Sequence, residues 1–191
     1  MGRSQGALGE GLPGREVKKP ADELRAIAAP RELVEWVRKL PPDTAARTAW
    51  VDAPRADWVP YLAVLRGISR DAILKAVCET AVEIAPPSEE LARLIAVLRD
   101  GTTRGRDAFL TVDAELADVR RAMVEVQTSK AAPPPWMFWA ELVFELARSQ
   151  ARGNPLVGLA LAMRLLATAK GKSRPAHTDL VAQLRDKLTA M

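Results

Sequence analysis

Residues 155–169 read PLVGLALAMRLLATA, a run in which Arg164 is the one charged residue. A helix apolar almost all round has no solvated face and must be surrounded by other elements. Gly158, Ala160 and Ala162 add small residues that let neighbouring helices approach closely, so this segment is expected at the centre of the second half of the chain. The nearly uncharged stretch from Asn154 to Ala169 is broken by Arg164 and falls short of the roughly 18 to 20 residues of a membrane span; no membrane insertion is expected. Immediately upstream, Trp136, Phe138, Trp139, Leu142, Val143 and Leu146 form a broad apolar face, while Glu141, Glu145, Arg148 and Arg152 mark a polar stripe. The two segments are expected to pack as an antiparallel pair across Gly153-Asn154.

The same period runs outward from that pair. Phe109, Val112, Leu116, Val119, Met123 and Val126 step by 3 or 4 residues along one stripe, which must face another helix, and Asp113, Asp118, Arg121 and Glu125 mark the solvated side. Expected helices lie at 21–28, 31–39, 43–52, 55–65, 69–85, 88–99, 107–127, 135–152, 155–169 and 176–190. Gly67 followed by Ser69 and Asp71 reads as a C-terminal glycine, an N-cap and an acid in the next first turn; Ser88 with Glu89 and Glu90 opens a helix that Asp100-Gly101 closes. The fold class is therefore all-α: a single-domain multi-helix bundle of about eight to ten helices over residues 21–191. Five glycines in residues 1–14, with only Leu8, Leu12 and Val17 as larger apolar groups, mark residues 1–20 as a flexible, disordered tail. Three prolines in the stretch from Thr128 to Pro135 (TSKAAPPP) make 128–135 the expected hinge.

With 191 residues, 48% hydrophobic and 27% charged, the chain can bury roughly two-thirds of its unfolded surface without staples. One cysteine and one histidine exclude an intramolecular disulfide and a Cys/His metal cluster built from this chain alone, leaving carboxylate-only sites open. No cofactor is expected. A net charge of +4 from 28 Lys+Arg against 24 Asp+Glu is too dilute to be a basic patch. The opening MGRSQGALGEGLPGREVKKP lacks the apolar core of a signal peptide, which places the chain in the cytoplasm.

Chemistry-bearing residues are few. Cys78 sits mid-helix among Ile73, Val77, Ala81 and Ile84 and reads as a packed core thiol; a nucleophile would need His177 as its base, near the start of the last helix. Lys170-Gly171-Lys172-Ser173 ends like a phosphate loop, but the first glycine of that motif would fall at Leu166, inside a helix, so a basic interhelix loop is expected instead. Residues 62–77 fit a DNA-binding helix-turn-helix at the turn, although Arg66 stands where an apolar residue is usual and Glu79 and Glu83 follow on the second helix, where they would repel phosphates. Five tryptophans, Trp36, Trp50, Trp58, Trp136 and Trp139, outnumber the other aromatics. Core packing is the default, with Trp136 and Trp139 behind the prolines the best candidates for exposure. As the second of those two helices returns toward the start of the first, this pair would lie near Lys170, Lys172 and Arg174 and form a partner-binding face of apolar anchors rimmed by positive charge.

The stretch from Ala46 to Tyr61, ARTAWVDAPRADWVPY, carries the spacing W-x-x-A-P-R-x-D-W through Trp50, Pro54, Arg55, Asp57 and Trp58. It resembles a bacterial all-helical family of immunity proteins, whose members have a similar W…C-P-R-x-D-W stretch. The likeness continues through LRGISRDAILKAVCETAVEIAPP, fades beyond residue 85, and returns faintly at His177 to Leu188; Ala53 stands where the family has cysteine. The resemblance implies a non-catalytic helical protein that binds another protein, as an immunity-like, adaptor or scaffold component. Physically, Pro54 suits a first helical position, Asp57 can satisfy first-turn N–H groups, Trp58 can anchor the helix, and Arg55 with Asp57 can form a semi-buried polar pair. A monomer or weak dimer is expected, with nucleic acid as the alternative partner through 62–77.

Overall fold

The computed structural model describes residues 19–84, 135–152, 155–171 and 174–190, with 92, 95, 96, 98, 99, 110, 114, 117, 121 and 123–129 between them. Its elements are α1 (Pro20–Ala26), α2 (Arg31–Arg38), α3 (Ala45–Val51), a 3₁₀ turn (Ala56–Trp58), α4 (Val59–Leu65), α5 (Arg70–Ile84), α6 (Pro135–Arg152), α7 (Pro155–Lys170) and α8 (Arg174–Ala190). The molecule is an all-α bundle, and no strand occurs among the described residues. None of its described helices is long and apolar enough to cross a membrane.

The apolar character of 155–169 has the expected consequence in part: α7 is drawn into the core, but Val157, Leu161 and Arg164 remain exposed along one side of it. α7 packs along α6 and also touches α4, α5, the 3₁₀ turn and α8, so it is central to both halves of the chain. Leu156, Gly158, Leu159, Ala160, Ala162, Met163, Leu166 and Ala167 are buried on it. They join one core with Leu24, Leu33, Leu62, Ile73, Leu74, Leu142, Leu146, Leu180 and Leu184. The small residues on α7 let five elements approach one helix, which is how it organises the bundle.

Helix ends follow local chemistry. Gly67 takes a left-handed φ of 78° after α4; its N–H reaches Val64 O at 2.9 Å and Ile68 N–H reaches Ala63 O at 3.0 Å, the paired bonds of a Schellman stop. The Ser69 hydroxyl then accepts the Ala72 N–H at 3.2 Å and opens α5. α1 stops by the same motif, with Ala28 N–H to Arg25 O at 3.0 Å and Ala29 N–H to Leu24 O at 3.0 Å. There the left-handed residue is Ala28, at φ 54°.

Several boundaries differ from the sequence expectation. α1 begins at Pro20, inside the span assigned to the tail, because proline fits a first turn whose N–H groups have no partner; the rest of that tail, 1–18, lies outside the described residues. The single helix expected at 55–65 is divided into the 3₁₀ turn and α4, and α8 starts at Arg174 rather than 176. Of the expected helices at 88–99 and 107–127, residues 92, 95, 96, 98, 99, 110, 114, 117, 121 and 123–127 are helical. Phe109, Val112, Leu116 and Val119 of the long stripe lie outside the described residues, as do 130–134 of the expected hinge; Thr128 is still helical and Pro135 already opens α6.

Candidate functional site

The W-x-x-A-P-R-x-D-W stretch builds a part-buried polar cluster around Arg55, Asp57 and Trp58. After α3 the chain turns extended at Arg55, φ −135° and ψ 131°, before the 3₁₀ turn. That extension lets the Arg55 guanidinium donate to Asp57 twice, Nε to Oδ1 at 3.0 Å and Nη2 to Oδ2 at 2.6 Å. The semi-buried polar pair expected of Arg55 and Asp57 is thus present, while two other details of the expectation are corrected. Pro54 lies outside any helix, and the Asp57 carboxylate is taken by Arg55 rather than by first-turn N–H groups, since a bidentate guanidinium offers stronger bonds than neutral amides.

Trp58, 5% exposed, anchors the turn in the core. Its ring lies 5.4 Å from that of Trp36 on α2, tilted by 43°, and the Arg55 guanidinium carbon sits 5.2 Å from its centroid, within cation–π range. The Trp58 indole N–H is buried with no hydrogen-bond partner among the described residues. His177, from the first turn of α8, accepts the Ala56 N–H on Nδ1 at 3.4 Å. Asp57 is itself buried, and it holds the Arg55 pKa above its ordinary value mainly through their hydrogen bond. Burial, with Asp57 nearby, pushes the Tyr61 hydroxyl up. Trp50, on α3, is half-buried against the core. In this cluster Arg55, Asp57 and His177 are engaged with one another or with backbone, an arrangement that fastens α2, the turn and α8 together.

The remaining candidate residues are dispersed. Cys78 is fully buried on α5, and desolvation pushes its thiol up to about 12, so the thiolate required of a nucleophile is not formed near neutrality. His177 meanwhile faces the 3₁₀ turn. Among the described residues no group of three or more His, Cys, Asp or Glu is placed to hold a metal ion. Lys170 closes α7 and its ammonium donates to Gln183 Oε1 at 3.3 Å. Gly171 follows at φ 122°, and Leu166, where a phosphate loop would need its first glycine, lies inside α7. Lys172 and the side chains of Trp136, Trp139 and Arg174 lie outside the described residues.

Two adjoining recesses meet at Arg38 instead. A cleft of about 440 Å³ between α1, α2 and the start of α3 has a mainly apolar wall that includes Ala21, Val37, Leu40, Pro42 and Ala45, with Lys19, Asp22 and Arg38 at its polar edge. A second recess of about 390 Å³ on the other side of Arg38 is lined by Arg25, Ala29, Arg31, Val34 and Glu35. Asp22 pairs with Arg25 at 3.7 Å and Glu35 with Arg31 at 2.6 Å. The latter bond, more than the fields of Lys39 and Arg38, holds the Glu35 carboxyl below its usual value. Sequence reading missed this place. Its only local trace is the i, i+7 spacing of Arg31 and Arg38 beside buried Val34 and Val37, which marks a face of α2 without saying that α1 and α3 wall it in. The chain matches no protein-family profile, no curated protein and no solved structure.

Proposed function

We propose that this chain is a non-catalytic protein-binding helical module, an immunity-like or adaptor component of a bacterial multiprotein system whose partner is another protein. One observation carries the reading: two open recesses that share Arg38 in their walls lie side by side on the short N-terminal helices, one mainly apolar and one mainly charged, a surface suited to a length of polypeptide. The buried, protonated Cys78 and the internally engaged Arg55, Asp57 and His177 support a role without covalent chemistry.

The DNA-binding alternative has a capped turn at Gly67 and Ser69 in its favour. Against it, seven of the 15 residues of α5 are buried and the helix packs on α7 and α8, and its exposed or half-exposed charges, Arg70, Asp71, Lys75, Glu79 and Glu83, do not sum to the basic face that phosphate contacts require. Affinity capture from the source lysate followed by mass spectrometry tests the choice. A stoichiometric protein partner is the expected result; recovery of nucleic acid alone, with affinity falling steeply in salt, would overturn it.

A further inference from the structure

We infer that the cleft between α1, α2 and α3 is a docking groove for an acidic segment of a partner protein, one that inserts apolar side chains against Val37 and Leu40 and places carboxylates on Lys19 and Arg38. The inference rests on the protein-binding reading and names the chemistry of the partner. Six charged residues line the two recesses: Lys19, Asp22, Arg25, Arg31, Glu35 and Arg38. Four are consumed in the Asp22–Arg25 and Arg31–Glu35 pairs. The side chains of Lys19 and Arg38 make no hydrogen bond or ion pair among the described residues, and both residues are exposed. The charged lining therefore carries four cations against two carboxylates, a net charge of +2, with Lys19 and Arg38 outside both ion pairs and at the edge of a mostly apolar wall. Such a surface is complementary to carboxylates flanking apolar residues: arginine takes a carboxylate in bidentate geometry, while the apolar wall supplies burial.

The size agrees with that occupant. A cleft of about 440 Å³ lies low in the range of roughly 300 to 1,000 Å³ that ligand pockets span, enough for side chains of a segment and too small for a folded domain. Arg38 borders both recesses, so a segment that places a carboxylate on it can continue into the second, where Val34 extends the apolar wall.

The test uses the full chain and a fluorescein-labelled DELLDE peptide, with KKLLKK as the charge-reversed control, read by fluorescence anisotropy and by amide NMR shifts. The expected result is DELLDE binding at or below about millimolar peptide, with shifts at Ala21, Val37, Leu40 and Ala45 and no binding of KKLLKK. Lys19→Glu with Arg38→Glu should weaken DELLDE about tenfold or more and create affinity for KKLLKK. Both residues are exposed, so an unchanged melting transition is expected and separates loss of the groove from loss of fold. Absence of DELLDE binding, shifts confined to another face, or indifference to the double substitution would overturn the inference. Self-association that the double substitution abolishes would assign the cleft to a second copy and overturn it too. A lysate partner held equally by parent and double variant rejects the groove while leaving the protein-binding reading intact. A parent chain that captures no protein rejects that reading, and the peptide titration still decides the groove.

Discussion

Replacing Asp57 by Asn removes the carboxylate that organises the tryptophan cluster while keeping its shape. Asp57 accepts two charge-assisted bonds from Arg55, at 3.0 and 2.6 Å. Asparagine keeps one acceptor and turns its amide N–H groups toward a guanidinium that has only donors. Bonds to charged groups contribute about 1.5 to 3 kcal/mol each when shielded. Here the Asp57 side chain is 11% exposed but that of Arg55 is 42% exposed, so water recovers part of the loss and about 2 kcal/mol in total is the expected cost. For a domain of this size that lowers the melting temperature by about 4–8 °C, measured by far-ultraviolet circular dichroism. Arg55→Met should cost at least as much, because it leaves a buried carboxylate unpaired and removes the cation stacked 5.2 Å from the Trp58 ring. The double variant should be less destabilised than the sum of the two, with a coupling of about 1–2 kcal/mol. A melting temperature unchanged by Asp57→Asn, together with strict additivity, would refute the claim that this pair holds the turn.

Cys78 should resist thiol reagents in the native state and react only on unfolding. Because its folded pKa of about 12 lies above the unfolded value near 8.5, its contribution is complete below that value and lost as pH rises; the stability of the parent relative to Cys78→Ala should fall by about 1.4 kcal/mol per unit between about pH 9 and 11, and a pH-independent difference would contradict this. The left-handed stops make a reciprocal pair. Ala28→Gly should stabilise by about 0.5–1 kcal/mol, whereas Gly67→Ala, whose Cβ would meet nothing within 4 Å, should cost about 1 kcal/mol through backbone strain alone; equal signs in urea titrations would reject the assignment. Glu83 accepts from Lys187 at 2.5 Å and also from Gln183, and the Lys187 bond first of all lowers its pKa. Its stabilisation is present above the unfolded value and lost as pH falls through the lowered one, so Glu83→Gln should cost less than about 1 kcal/mol at neutral pH and nothing once the carboxyl is protonated, by thermal melts across the acid range.

Helical content and the central position of α7 are legible in one dimension. The 3.6-residue period needs only neighbours in sequence, and a segment as apolar as 155–169 is driven to pack on several neighbours at once, although Val157, Leu161 and Arg164 keep one side open. The same holds for the stop at Gly67 and the cap at Ser69, whose bonds span at most five residues. The turn after Pro54 was misread for a definite reason. Arg55 and Asp57 stand two apart, and on an α-helix such residues point to different faces; their bidentate bond requires the extended backbone at Arg55, which propensity and capping patterns do not announce.

What tertiary structure alone decided is who meets whom over long separations. The Ala56 N–H finds His177 across 121 residues, and Trp58 finds Trp36 on another helix. Both meetings depend on the angles at which helices dock around α7. The groove at Arg38 is of the same kind. Composition gives the first three helices four arginines and four carboxylates, but which of them pair and which cation remains over an apolar wall depends on the placement of α1, α2 and α3 to within a hydrogen-bond length. Periodicity specifies which face of a helix leaves water; it carries no coordinate for the partner that face will touch, because packing is chosen by the fit of whole surfaces rather than by the order of residues along the chain.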